Sequence, residues 1–226
     1  MPRYNIFYMI HKGLRQLLYQ TAGIMLQTDF SNVSDTNKLL PQVSEVLDLF
    51  DEHAHTEDTF ILPAIETFEP FAATLFEEEH VQDHSLSNRM RALLNMFHHA
   101  VSSEEKNETG SAIRLAFSEF LVFNIQHMAK EEFLLNKLLW ENYTDEQLQS
   151  ITQQIIAGLP QDMAHKYNTW MMRALSNSEI INWLKNIKHQ APDFVFDNML
   201  GLAKSQLTPR RWQIVEEQIT EEALLA

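Results

Sequence analysis

Seven side chains in four separate stretches of this sequence have the types and spacing of a metal site: His11, then His53 and Glu57, then His80 and His84, then His127 and Glu131. Each pair is spaced i, i+4, which on an α-helix stacks both side chains on one face and aims them at a common point. Together they offer five imidazoles and two carboxylates, a mixed nitrogen and oxygen shell suited to iron and accepted by manganese, zinc or cobalt. Seven ligands exceed what one ion usually takes. The surplus is explained when two ions share the site through bridging carboxylates, with a coordination position left open to a small molecule.

Such a site requires elements that bring four distant stretches to one level. Antiparallel neighbours share a layer only if their ligands lie equally far from the connecting turn, so the midpoints between ligand groups should fall on turns. The first midpoint, residue 33, lies in the polar stretch Asp29-Phe-Ser-Asn-Val-Ser-Asp35. The second lies in Thr67-Phe-Glu-Pro70, where Pro70 opens a helix more readily than it continues one. The third, Glu105-Lys106, lies in the polar run Ser102 to Gly110. The expected architecture is therefore all-α: an up-down-up-down four-helix bundle with helices over about 5–28, 35–66, 70–102 and 109–142. In the second helix Val43, Val46, Leu47, Phe50, Ile61 and Ile65 form a broad apolar stripe that His53 and Glu57 continue. In the fourth, Phe117, Phe120 and Phe123 precede the His127/Glu131 pair and Leu134, Leu135 and Leu138 follow it. Polar groups set inside apolar columns are costly to bury unless hydrogen-bonded or metal-bound, which favours a ligand role.

Residues 143–226 read as additional C-terminal helices packed on a 1–142 bundle. Thr144-Asp-Glu-Gln147 and Ser176-Asn-Ser-Glu179 are capping-box sequences, and Thr208-Pro209 opens a further helix. Trp170, Trp183, Trp212 and several methionines supply packing material for that layer, or for a homodimer or protein partner engaged through residues 144–226.

Composition sets limits on function. The 226 residues include no cysteine, which excludes disulfides, iron–sulfur ligation and thiol redox chemistry, so redox function must reside on a bound cofactor. A formal charge of −14 disfavours nucleic acid and anionic membrane as partners. With no apolar run near 20 residues and no secretory pattern after Met1-Pro2-Arg3-Tyr4-Asn5, a cytoplasmic location is the expectation.

The stretches Phe50-Asp-Glu-His-Ala-His-Thr-Glu-Asp-Thr-Phe-Ile-Leu-Pro63, Glu79-His-Val-Gln-Asp-His84 and His127-Met-Ala-Lys-Glu-Glu132 resemble the second-, third- and fourth-helix motifs of the hemerythrin-like, HHE cation-binding family. The likeness covers about residues 5–142. It implies a non-haem di-iron centre, oxo- and carboxylate-bridged, with His11, His53, His80, His84 and His127 as terminal ligands and Glu57 and Glu131 as bridges; zinc or manganese could substitute. Oxygen-carrying hemerythrins place histidine and aspartate at i, i+5 in the last pair, so His127 and Glu131 at i, i+4 align this chain with bacterial HHE proteins instead.

The implied function is binding of O₂, NO or related small oxidants at the centre. The alternative is an iron- or oxygen-responsive sensor whose C-terminal helices bind a partner. Tyr8, Phe123 and Leu135, one turn from the ligands, are candidates for a ligand pocket. Arg15, one turn after His11, is a candidate support for it. A ferritin-like di-iron oxidase, using Glu52-x-x-His55 and Glu77-x-x-His80, is the weaker metal reading, because Asn124 stands three before His127 and breaks the pattern in the last helix. His55 points about 200° away from His53, and His98, His99, His165 and His189 lack partners at ligand spacing, as surface or capping residues would.

Overall fold

The computed structural model describes residues 3–223; the outermost positions of the two expected segments, 1–2 and 224–226, lie outside the described residues. Helix α1 is Tyr8–Gln27. Helix α2, Val33–Thr56, runs through a π-helical turn, Glu57–Ile61, into α3, Leu62–Glu66. Helix α4 is Pro70–His99, and α5, Ser103–Lys130, runs through a second π-helical turn, Glu131–Leu135, into α6, Asn136–Asn142. Five shorter helices follow: α7 (Asp145–Gly158), α8 (Gln161–Ala174), α9 (Asn177–Gln190), α10 (Asp193–Gln206) and α11 (Pro209–Ala223). No strand occurs among the described residues.

Local chemistry sets the helix starts. The Asn32 side chain accepts from the N–H groups of Ser34 and Asp35 at the head of α2, and Pro70 occupies the first position of α4. Complete capping boxes, Ser102/Glu105, Thr144/Gln147 and Ser176/Glu179, open α5, α7 and α9. The first two connections, 28–32 and 67–69, lie within one residue of their midpoints. The third does not. The chain turns at 100–102 and α5 begins at Ser103, six residues before its expected start, so Glu105-Lys106 sits in its first turn.

Gly110, read as part of a break, is helical and buried because Phe30 packs directly on it; a Cβ there would overlap the Phe30 ring. Gly110→Ala should therefore destabilise the protein by about 1–3 kcal/mol of overpacking, against a helix-propensity gain of at most about 1 kcal/mol. Gly201→Ala, in open space on α10, should instead raise the denaturation midpoint. Urea titrations of the two variants check both signs.

In the bundle α1 packs on α2 and α5, and α4 packs on α2 and α5, closing a ring of four rods. Along each rod the ligand residues separate two apolar cores. Leu14, Val46, Phe50, Met90 and Phe120 belong to one; Phe7, Ile61, Ile65, Phe76, Leu135 and Leu139 belong to the other. The polar layer is sealed between them.

The C-terminal helices have a third core of their own, including Met172, Ile180, Leu184, Leu202 and Val215, and are anchored on the bundle by α8. Gly13 allows that approach: a Cβ on it would stand 2.9 Å from the backbone nitrogen of Met171. Tyr167 donates its hydroxyl to the Leu49 carbonyl at 2.6 Å, and Trp170 Nε1 donates to Glu45 at 3.1 Å. Helix α8 thus grips both α1 and α2, the helices that carry His11 and His53.

Candidate metal centre

Six of the seven expected ligands converge in the sealed layer: His11 (α1), His53 (α2), Glu57 (first π turn), His80 (α4), His127 (α5) and Glu131 (second π turn), all at most 7% exposed. They form two groups of four, His11/His53/Glu57/Glu131 and Glu57/His80/His127/Glu131, with the ligand atoms of each group within 4.8 Å of one another. The glutamates belong to both groups, one oxygen to each. Glu57 Oε1 lies 3.3 Å from His53 Nε2 while its Oε2 lies 3.3 Å from His80 Nε2. Glu131 Oε2 lies 3.4 Å from His11 Nε2 while its Oε1 lies 3.0 Å from His127 Nε2. His11 and His53 present their Nε2 atoms to each other at 3.2 Å. Ligands about 2.1 Å from one ion stand about 3.0–3.4 Å apart at octahedral or tetrahedral angles, so these edges have the size of coordination polyhedra.

Both shared glutamates open a π-helical turn, in which the Glu57 and Glu131 carbonyls each accept from the N–H five residues on. Such turns inside α-helices are frequent at functional sites. Pro63 gives the first a local cause: its ring would crowd the carbonyl four residues earlier, and a widened turn relieves that clash. A straight α-helix was the expectation in both places; the spacing of His53/Glu57 and His127/Glu131 is unaffected because each glutamate stands at the start of its turn.

The outer ring nitrogens are held by carboxylates that spacing alone did not reveal. His11 Nδ1 pairs with Glu132 at 2.9 Å, His80 Nδ1 with Asp58 at 2.6 Å and His127 Nδ1 with Glu79 at 2.8 Å, which fixes each ring with Nε2 inward. Arg15 reaches Glu132 at 2.6 Å, so it supports His11 through that carboxylate, and Lys130 pairs with Glu79. Each of these carboxylates is a sequence neighbour of Glu57, His80 or Glu131. That adjacency was the available signal.

The layer is electrostatically unfinished. All four oxygens of Glu57 and Glu131, and His80 Nε2, are buried without a hydrogen-bond partner. A buried orphan costs about 1–3 kcal/mol, more when charged, and a cation in each of the two groups would satisfy all five. Burial disfavours charge on every member, yet their mutual fields split them. Burial pushes the His53 imidazole down to about 3. Burial acts the same way on His80 and His127, but Asp58 with Glu57, and Glu131 with Glu79, outweigh it and push them up to about 10 and about 9. Glu57 lies well below the carboxylate range because the surrounding imidazoles outweigh its burial; burial and the Glu57 charge hold Glu131 up. Without metal, His80 and His127 would therefore carry protons at neutral pH on the nitrogens that face the centre.

His84 does not join the cluster. Its side chain is 47% exposed and stands 3.4 Å from Asp51 on the surface, and Asp83 turns inward in its place, 2% exposed and bound by the Asn124 amide at 2.6 Å. His84→Ala should therefore leave metal content unchanged, whereas Asp58→Asn, which loosens His80, should weaken affinity roughly 10- to 100-fold; competition with a chromophoric chelator separates the two. Tyr8 is no pocket residue either: it is 45% exposed and donates to Glu179 of α9. Leu135 is fully buried core, while the Phe123 ring stacks on His127 with centroids 5.8 Å apart and planes at 11°. His55, His98, His99, His165 and His189 are exposed, and Glu52 and Glu77 lie outside the cluster, so the ferritin-like set is not assembled.

Comparison with known proteins supports a metal-binding helical domain. The model of the hemerythrin HHE cation binding domain matches residues 3–139. The chain is also similar to the Zinc finger protein BRUTUS of Arabidopsis thaliana, 25% identical over 184 residues that make up 81% of this chain and 14% of that protein. This chain therefore spans a small part of that relative's length. The likeness is too long to fit within the bundle and extends into the C-terminal helices. With no cysteine here, the zinc finger in the relative's name has no cysteine-based counterpart. No solved structure matches the chain. Among the described residues no helix is long and apolar enough to cross a membrane.

Proposed function

Because the chain belongs to the hemerythrin HHE cation-binding domain family, a metal-binding family, we propose that its centre holds two iron ions and binds O₂, NO or a related small oxidant. The single observation that carries this reading is the pair of His₂Glu₂ groups sharing both glutamates. Each group offers four protein ligands, two nitrogen and two oxygen, fewer than the six that an octahedral ion accepts, so room for a small exogenous ligand remains on either side. Iron bound there supplies redox activity and open coordination positions for diatomic molecules.

The chain's own residues do the rest. Glu57 and Glu131 set the separation of the two positions. Asp58, Glu79 and Glu132 hold the outer imidazole protons, and Phe7, Phe50 and Phe76, at most 2% exposed, exclude water from the layer. The test is anaerobic addition of NO to reduced, iron-loaded protein. A new visible absorption band saturating at a fixed ratio to iron supports the reading, and an unchanged spectrum with iron still bound contradicts it.

A second reading is favoured by the grip of α8 on α1 and α2. Loading of the His11/His53 group would steady those two helices and so the platform on which the C-terminal helices rest, making the protein an iron- or oxygen-responsive sensor that presents residues 144–226 to a protein partner. Limited proteolysis distinguishes it: cleavage within 144–226 that appears only after metal removal supports sensing, and identical cleavage patterns oppose it.

A further inference from the structure

Four phenylalanine rings stand against the imidazoles of the centre: Phe7 on His11, Phe50 on His53, and Phe76 and Phe123 on His127. Three are sealed in the bundle, at 2%, 2% and 0% exposure. Phe123 alone of the four is only partly buried. Its outer side lines a surface groove between α4 and α5, with Gln82 and Leu86 on one wall and Ser118, Val122 and Gln126 on the other. Its inner side lies flat on His127, which is 4% exposed. On the groove side, a single aromatic ring therefore separates solvent from the His80/His127 half of the centre.

Charged hydrogen bonds close the approaches to three imidazoles, and the fourth, His53, is backed by the buried Phe50 ring. Arg15 holds Glu132 over His11 at 2.6 Å, Asp58 is bound to His80 at 2.6 Å, and Lys130 pairs with the Glu79 that covers His127 Nδ1. Moving any of these breaks an ion pair. Phe123 can form no such bond: it is retained by stacking and apolar contact, worth about 0.5–1.5 kcal/mol for an aromatic pair. Its rotation into the groove costs least among the covering groups, and side-chain rotations of this kind are fast where the ring is not enclosed.

We propose that Phe123 is the gate of the metal centre, and that small linear molecules enter from the α4/α5 groove when its ring swings off His127. This rests on the metal-centre reading above and adds the route and the residue that controls it. A gate changes how fast a ligand arrives and leaves, not how tightly it is finally held. A merely structural Phe123 would alter affinity or iron content instead.

Stopped-flow mixing of azide with oxidised, iron-loaded full-length protein tests this. Phe123→Ala should speed association and dissociation together, by about two- to tenfold, and Phe123→Trp should slow both, with iron content and equilibrium affinity at the wild-type values. Phe123→Leu, which keeps an apolar group against the imidazole, carries the test if the alanine variant loses iron or fails to fold. Rates equal to wild type in variants that keep their iron would overturn the gate and leave the metal-centre reading intact. A wild-type protein that takes up no iron would overturn that reading, and the gate with it.

Discussion

Glu57→Ala should deprive both halves of the centre of metal at once. Glu57 sends one oxygen to the His53 side and the other to the His80 side, so its removal takes a ligand from each group of four. The loss of affinity should exceed the roughly 10- to 100-fold expected for removing an outer-nitrogen partner. Fold should survive, because the apolar cores on either side of the layer lose no contact. Circular dichroism of the metal-free variant beside metal analysis of the reconstituted variant gives both readouts. Intact helicity with wild-type metal content would remove Glu57 from the site.

Metal uptake should release protons and strengthen steeply with pH. In the metal-free chain His80 and His127 are pushed up to about 10 and about 9 by the carboxylates around them, despite their burial, so both are protonated at neutral pH and both must lose a proton to bind metal. At least two protons should leave per chain loaded, and apparent affinity should rise about a hundredfold per pH unit between roughly pH 7 and 9. The metal-free state shows the opposite sign. A raised imidazole contributes stability that is fully present below about 6.5 and lost as pH rises through about 9 and 10. The melting-temperature gap between loaded and metal-free protein should therefore widen toward alkaline pH. Calorimetric titration in buffers of different ionisation enthalpy counts the protons; a count of zero would contradict the assigned charge states.

Most of this layer was legible in the sequence, because i, i+4 pairs at bundle-compatible distances constrain both helix face and level. Two pairs, His53/Glu57 and His127/Glu131, lie in the structure as their spacing required, and lone His11 joined them because its helix is antiparallel to α2 at matching depth. His84 illustrates the limit of spacing. From His80, position i+3 falls about 60° to one side and i+4 about 40° to the other, and only the rotation of α4 against its neighbours decides which turns inward. Packing chose Asp83, which Asn124 binds from α5.

The start of α5 was misplaced for a different reason. A polar run and a glycine suggested a break, while the Ser102/Glu105 capping box and the fit of Phe30 over Gly110 make that run helical. The π turns at Glu57 and Glu131, and the carboxylates that steady the imidazoles, depend on contacts between helices or on local widening. Periodicity carries no record of either.

The central claim is that this chain carries a two-metal site, with four histidines and two shared glutamates. Elemental analysis of the full-length protein after anaerobic iron reconstitution and removal of loosely bound metal tests it most directly. Two irons per chain is the predicted result. One iron per chain would contradict the shared-glutamate arrangement, and no stoichiometric metal would contradict the site itself.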